Sequence, residues 1–381
     1  MADYGSFLFG LLQEDEQRAA RLHRESIVID MTYQGPCSPD VWTEQLRAEL
    51  PESADYGTAA TFLLEKAMRG EFEEYHELFD ASGATTGLTG CVLETAQGVL
   101  DAGVETARMI AAFEWLRPAR RAADIRAAHA AGEHALVGMC QLNLLRPSDI
   151  DLLDAAAALG VAHTVDCAYN TATVIGAGCT EKNDPGLSAF GQSFVDRCNK
   201  LGVIVDTAHS GPRTTMDACA RSALPVVATH TSAAALYECD RAKSDEELQA
   251  IAATGGVIGV VAVPFFLTDV AAGPKPTIEL TLDHIDYLVR LVGAEHVGLG
   301  TDWPLALPAD VLERTFLPMA LSTMGFRPEH QLDVAATLDG FRDYRDLVNI
   351  TRGLVARGYA DRQIEQILGG NFLRVFEEVV G

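Results

Sequence analysis

Two β-branched runs in the second half of the chain each end in a histidine: GVIVDTAHS (202–210) reaches His209 and PVVATHTS (225–232) reaches His230. Imidazole is the commonest side-chain ligand for zinc, and two of them with a third soft or anionic donor leave one coordination position open to water. A metal in such a site lowers the pKa of its water toward neutrality, and a nearby carboxylate can then take or relay the proton. LGTDWP supplies a carboxylate, Asp302, and the apolar run ending in MCQ supplies a thiol, Cys140. Each residue also has a plainer reading. A strand-end histidine is often a satisfied loop residue, Cys140 can be an inert buried thiol, and Asp302 can cap the turn that follows it. Two histidines at equivalent points of consecutive runs favour the metal.

The elements needed to bring these residues together can be read from the same pattern. The stretch between His209 and His230 fits a strand, its crossover helix and the next strand, and parallel strands joined that way place both imidazoles at one C-terminal edge. Further strand signals lie at 26–31, 87–95, 134–143, 161–170, 255–266 and 295–304, alternating with helical stretches at 14–24, 106–131 and 149–160 and one opening at Ser188. Eight such signals with no composition break predict an α/β fold, a (β/α)8 TIM barrel occupying residues 1–381 as one domain. Residues 1–25 form an N-terminal helix, 32–86 a long insertion after the first strand that covers the mouth, and 340–381 C-terminal helices. Within the insertion, Trp42, Tyr56, Phe62 and Phe72 are expected to fill it structurally more than to line a pocket. Barrel enzymes keep their chemistry at the C-terminal strand ends, here Asp30–Gln34, Cys140, Cys167, His209, His230 and Asp302.

A chain of 381 residues with 48% hydrophobic content builds a large core. Its net charge of −25 repels nucleic acid and anionic membrane surfaces, so neither is expected as a partner. The eight cysteines are scattered without a CxxC pair, which predicts reduced thiols, and the N-terminus carries no basic leader, so a cytoplasmic protein is expected.

GLSAFGQSFVDRCNKLGVIVDTAHS (186–210), PVVATHTSA, HVGLGTDW and GYADRQIEQILGGNFLRVFE (358–377) together resemble the membrane, or renal, dipeptidase family (peptidase M19) of the amidohydrolase superfamily. That resemblance implies a (β/α)8 barrel of the metal-dependent hydrolase type, a homodimer, and hydrolysis of dipeptides or related small amides by two zinc ions bridged by a glutamate. It makes His209 and His230 ligands of one ion. It gives Arg241 the substrate carboxylate, with Ala242 where an asparagine usually follows, and Asp302 the proton shuttled to the leaving nitrogen. Asp30 matches the first residue of the family's Asp-Gly-His-Asn-Asp motif, but Thr32 and Gln34 stand where that motif has ligands. The bridging glutamate falls at Cys140, with Gln141 adjacent, and the oxyanion histidine falls at Cys167, unless Asp166 or His163 replaces it.

These departures predict a single zinc ion held by Cys140, His209 and His230, with Thr32, Gln34, Cys167 and Asn170 beside Arg241 on the substrate. The expected activity is hydrolysis of a small amide, peptide or cyclic C–N substrate bearing a carboxylate. A lyase or isomerase on the same barrel, a cysteine nucleophile, and a non-catalytic binding descendant remain alternatives.

Overall fold

The β-branched runs form short parallel strands that close on themselves. The computed structural model describes residues 4–93, 95–142 and 146–381, apart from the side chains of 89–93 and 142. Eight strands make the ring: β1 (Ile29–Asp30), β2 (Thr86–Leu93), β3 (His134–Leu142), β4 (Thr164–Asp166), β5 (Ile204–Asp206), β6 (Val226–Ala233), β7 (Ile258–Val260) and β8 (Val297–Leu299). β1 pairs with both β2 and β8, and β2 pairs with β3 from Thr86 to Leu93, so the circuit closes and every pairing is parallel. This is the (β/α)8 barrel. Two short segments, Leu116–Pro118 and Ala242–Lys243, pair alongside β3 and β6. The far ends of the second and third expected strands, at Glu94 and Asn143, lie outside the described residues.

Local chemistry accounts for several boundaries. Ser188 caps the helix Ala189–Leu201, its Oγ accepting from the Gly191 amide at 2.9 Å. The stretch 106–131, expected as one helix, is two, Ala96–Ala112 and Ala122–Ala131, with Leu116–Pro118 extended between them. Pro118 lacks the amide a continuing helix needs, while Phe113 and Leu116 bury themselves against the core. The insertion 32–86 carries three helices, Glu44–Glu49, Tyr56–Met68 and Glu74–Ser82, the first two capped by the side chains of Thr43 and Asp55.

The closing helix, Asn371–Val379, plugs the N-terminal end of the ring. Phe372, Val375, Phe376 and Val379 pack there against Ile29, Val137, Ile204 and Val227. A buried side chain of this size contributes about 1.5–3 kcal/mol. Gly369, just before this helix, has to be glycine, because a Cβ would sit 2.3 Å from the Ile27 carbonyl. With the base sealed, the opposite end is left for a site. Among the described residues no helix is long and apolar enough to cross a membrane.

Candidate active site

Two aspartate–threonine clamps set the mouth. At the end of β5, Asp206 accepts from the amides of Ala208 and Thr229, both at 3.0 Å, and from the Thr229 hydroxyl. At the end of β1, Asp30 accepts from the amides of Thr32 and Thr301 at 3.1 and 2.9 Å and from the Thr301 hydroxyl. Each carboxylate therefore ties its own strand to a neighbour just where the chain leaves the sheet. Burial raises the Asp30 pKa to about 6, against the pull of these donors.

The clamps orient a buried imidazole pair. His209 Nδ1 lies 2.7 Å from Asn170 Oδ1, and His230 Nδ1 lies 2.8 Å from Thr229 Oγ1 and 2.9 Å from Thr32 Oγ1. An amide oxygen only accepts, and the Thr229 hydroxyl proton is already committed to Asp206. Both Nδ1 atoms are therefore donors, and a neutral ring then carries its lone pair on Nε2. The two Nε2 atoms face each other at 2.8 Å. Arg241 Nη2, which can only donate, is 3.4 Å from His209 Nε2. Burial first, then the Arg241 guanidinium, hold both imidazoles well below the ordinary histidine range, so a proton between them is disfavoured. Two opposed lone pairs in a site that resists protons are donors that could seat a metal cation.

Around that seat stand the other polar groups of the mouth. Asp302 Oδ2 is 4.0 Å from His230 Nε2, while Gln34 Nε2 donates to its Oδ1 at 2.8 Å. Burial lifts the Asp302 pKa to about 6, opposed by Arg241 and the Gln34 hydrogen bond. Arg241 is buried, donating to the carbonyl of Ala208 and, at 3.4 Å, to that of His230. Asp302 and Asn170 have φ of 56° and 60°, and they are two of three non-glycine residues in the left-handed region among those described. Asp and Asn tolerate that region best, and such residues gather where a side chain must be aimed. Gly178 permits the Asn170 turn, since a Cβ there would lie 2.0 Å from the Asn170 backbone.

The structure thus brings together Thr32, Gln34, Asn170, His209, His230, Arg241 and Asp302, but not the two cysteines. Cys140 points out of the barrel into the apolar layer of Val99, Leu153 and Val165. Its neighbours Met139 and Gln141 line the cavity instead, and Gln141 Nε2 lies 3.4 Å from His209 Nε2. Side chains alternate along a strand, so the inward place expected for Cys140 belongs to Gln141. Cys167 is likewise turned outward, in the same layer as Cys198, and burial raises its thiol well above the ordinary value. That environment suits neither substrate contact nor a nucleophile. His163 accepts from the Gly138 amide at 3.0 Å at the start of β4, and Asp166 is sealed in the interior beside Asp206, so neither lines the cavity.

The cavity over the imidazoles encloses about 470 Å³. Its far wall is apolar: Phe265, Phe266, Trp303, Phe316, Met324 and Phe326, with the Tyr169 ring tilted against His209 at a centroid distance of 4.3 Å. Most of these stand on loops after β7 and β8, where no periodicity marks them, although Trp303 follows Asp302 and Tyr169 precedes Asn170 directly. Of the four insertion aromatics only Tyr56 reaches the cavity; Trp42 and Phe62 stack on each other at 5.5 Å, and Phe72 is buried.

A sequence model of the membrane dipeptidase family (peptidase family M19) matches residues 16–314. The chain belongs to the membrane dipeptidase family. Dipeptidase verJ of Clonostachys rogersoniana is 28% identical over 194 residues, 51% of this chain and 42% of that protein. Dipeptidase tcpJ of Claviceps purpurea is 27% identical over 194 residues, again 51% of this chain but 39% of its own length. These relatives are thus matched over less than half their length. Among solved structures, an amidohydrolase from Pseudomonas aeruginosa superposes with a TM-score of 0.72 at 25% identity, covering 95% of this chain and 98% of that one. A metallopeptidase from Rhodobacter sphaeroides, solved with a phosphinate mimic of the dipeptide L-Ala-D-Ala, shares the fold at a TM-score of 0.67 and 19% identity, covering 92% and 99%. Membrane dipeptidases are metal-dependent hydrolases, and in this member Thr32 and Gln34 are already engaged with His230 and Asp302. Neither a hydroxyl nor a carboxamide is a good zinc ligand, so the donors beside β1 do not fit a second ion.

Proposed function

We propose that this membrane dipeptidase homologue hydrolyses a small amide or peptide bearing a free carboxylate and a bulky apolar group, using one zinc ion seated on His209 and His230. The observation that carries this reading is the opposed Nε2 pair at 2.8 Å, with Asp302 and Arg241 on its rim. When bound, the ion would supply Lewis-acid and water-activating chemistry.

The chain's own residues do the rest. Asn170 and Thr32 fix the ring planes of His209 and His230, so little reorganisation accompanies ion binding. Gln34 holds one oxygen of Asp302 and leaves the other free for a proton. With a pKa of about 6, Asp302 is ionised at neutral pH yet basic enough to accept a proton and pass it to a leaving amine. Arg241 offers a desolvated guanidinium to a carboxylate, where bidentate pairing is strong. The aromatic wall excludes water and favours a large apolar side chain or acyl group. The free thiols of the described residues agree with a reducing, cytoplasmic setting.

The test compares N-acyl amino acids and dipeptides with their carboxamide counterparts, before and after chelation and on restoring one equivalent of zinc. Hydrolysis of the carboxylates alone, lost with the ion and regained with it, is the expected result. In Arg241→Ala, kcat/KM for the carboxylates should fall about a hundredfold toward that of the carboxamides. No hydrolysis of either series at any zinc level would overturn the reading in favour of another reaction or a binding role.

A further inference from the structure

The base of the barrel carries a second set of convergent donors that the site at the mouth does not use. His134 opens β3, and the helix Glu74–Ser82 lays His76 and Asp80, four residues apart and so on one face, against it. Asp80 Oδ1 is 2.8 Å from His134 Nε2 and 3.5 Å from His76 Nε2, and one donor atom from each residue lies within 4.8 Å of the other two. His134 Nδ1 sits 2.8 Å from the Ala84 carbonyl oxygen, which only accepts, so Nδ1 bears hydrogen and Nε2 is the atom presented. A carbonyl behind the ring is the support that metal-ligating histidines commonly have. The His76 ring lies flat on Trp115, centroids 4.4 Å apart and planes within 2°, so its direction too is set. Among the described residues the ion pairs of Asp80 are with these two imidazoles alone.

We propose that His76, Asp80 and His134 bind a divalent transition-metal ion, of the class that prefers imidazole with carboxylate, as a clasp between the insertion and the first residue of β3. The site is distinct from the mouth. Gln141 stands seven positions along β3 from His134, roughly 23 Å at the rise of an extended strand. The side chains span a gradient of exposure, 8% for His134, 42% for His76 and 55% for Asp80, which leaves the ion a way in from solvent.

The experiment uses the full chain carrying His209→Ala and His230→Ala, stripped with chelator and titrated with zinc alone by calorimetry. One equivalent should bind and raise the thermal midpoint by several degrees. On the same background His76→Gln and Asp80→Asn should each weaken binding at least tenfold and remove the shift. Both residues reach solvent, so neither change should compromise folding. In the otherwise unaltered chain, Asp80→Asn should lower zinc content by one equivalent and leave hydrolysis unchanged. Failure of the double variant to bind zinc, or binding that ignores both base substitutions, would overturn the proposal. The three residues would then be an ordinary imidazole–carboxylate contact.

Discussion

At the mouth and at the base of one barrel the chain sets two imidazoles near each other under opposite electrostatic conditions. His209 and His230 are buried, each with hydrogen on Nδ1, and the closest carboxylate oxygen to the pair, on Asp302, is 4.0 Å away. His76 and His134 instead share Asp80, which lies half in solvent. Burial and Arg241 disfavour a proton on either ring at the mouth. The comparison teaches that convergence of ligand atoms is not enough to rank two sites. What matters is also how far the donors are shielded from solvent, so zinc should leave the more open base before the mouth as chelator is raised.

The largest break in this comparison comes from His230→Ala. Removing one of the opposed donors should lower hydrolysis by a factor of about 10³ or more and remove the mouth's ion, read by activity and by elemental analysis together. Asp302→Asn should separate ion from proton. Metal content stays at the parental value while kcat falls by roughly 10²–10⁴, because the group that moves the proton is gone and the seat is not. Loss of metal on that substitution would make Asp302 a ligand instead.

The third prediction concerns histidines with a structural task. His284 and His163 accept backbone amide protons on Nδ1, from Ala233 and Gly138 at 3.0 Å each, so both must stay neutral. Burial lowers each to a pKa of about 4, against roughly 6.5 in an unfolded chain. Below pH 6.5 the unfolded chain takes up protons that the folded chain refuses. The associated stability is therefore complete above 6.5 and is lost as pH falls toward 4, on the order of 3 kcal/mol per residue. Asp30 and Asp302, raised to about 6, work in the opposite direction over part of the same range. The informative quantity is accordingly the difference between parent and His284→Gln in urea denaturation across pH 4–7. The variant should show the flatter acid limb, and parallel curves would refute the assignment.

The barrel was readable because its strands are apolar runs rich in β-branched residues that alternate with helical stretches, and Ser188 announced its helix by its own capping chemistry. At the mouth, His209 and Asp302 could be singled out because each closely follows a short strand, and His230 because it lies in the second half of one. Three things escaped. Most of the aromatic wall stands on the segments after β7 and β8, whose directions no local pattern encodes. The insertion reads as helical, but the bounds of its helices are set in part by Thr43 and Asp55 caps that a chain scan passes over. His76 and His134 are 58 positions apart in sequence and meet only because the helix before β2 folds across the start of β3.

The smallest effect tests the register of β3. In LVGMCQLN every position is compatible with the inner face, since methionine, cysteine and glutamine each suit a crowded strand, and a slip of one residue exchanges Cys140 for Gln141. The ring of paired strands removes that freedom: Cys140 lies opposite Val165 of β4, and both belong to the outer apolar layer. Cys140→Ser should therefore leave metal content and turnover at parental values, and placing a hydroxyl in that layer should cost about 1–3 kcal/mol in urea denaturation. Gln141→Ala should reverse the pattern, altering turnover with little change in stability, because Gln141 borders the cavity beside His209. If Cys140→Ser released the ion while Gln141→Ala did not, the inner face of β3 would be the other one, and the thiol would return as a ligand.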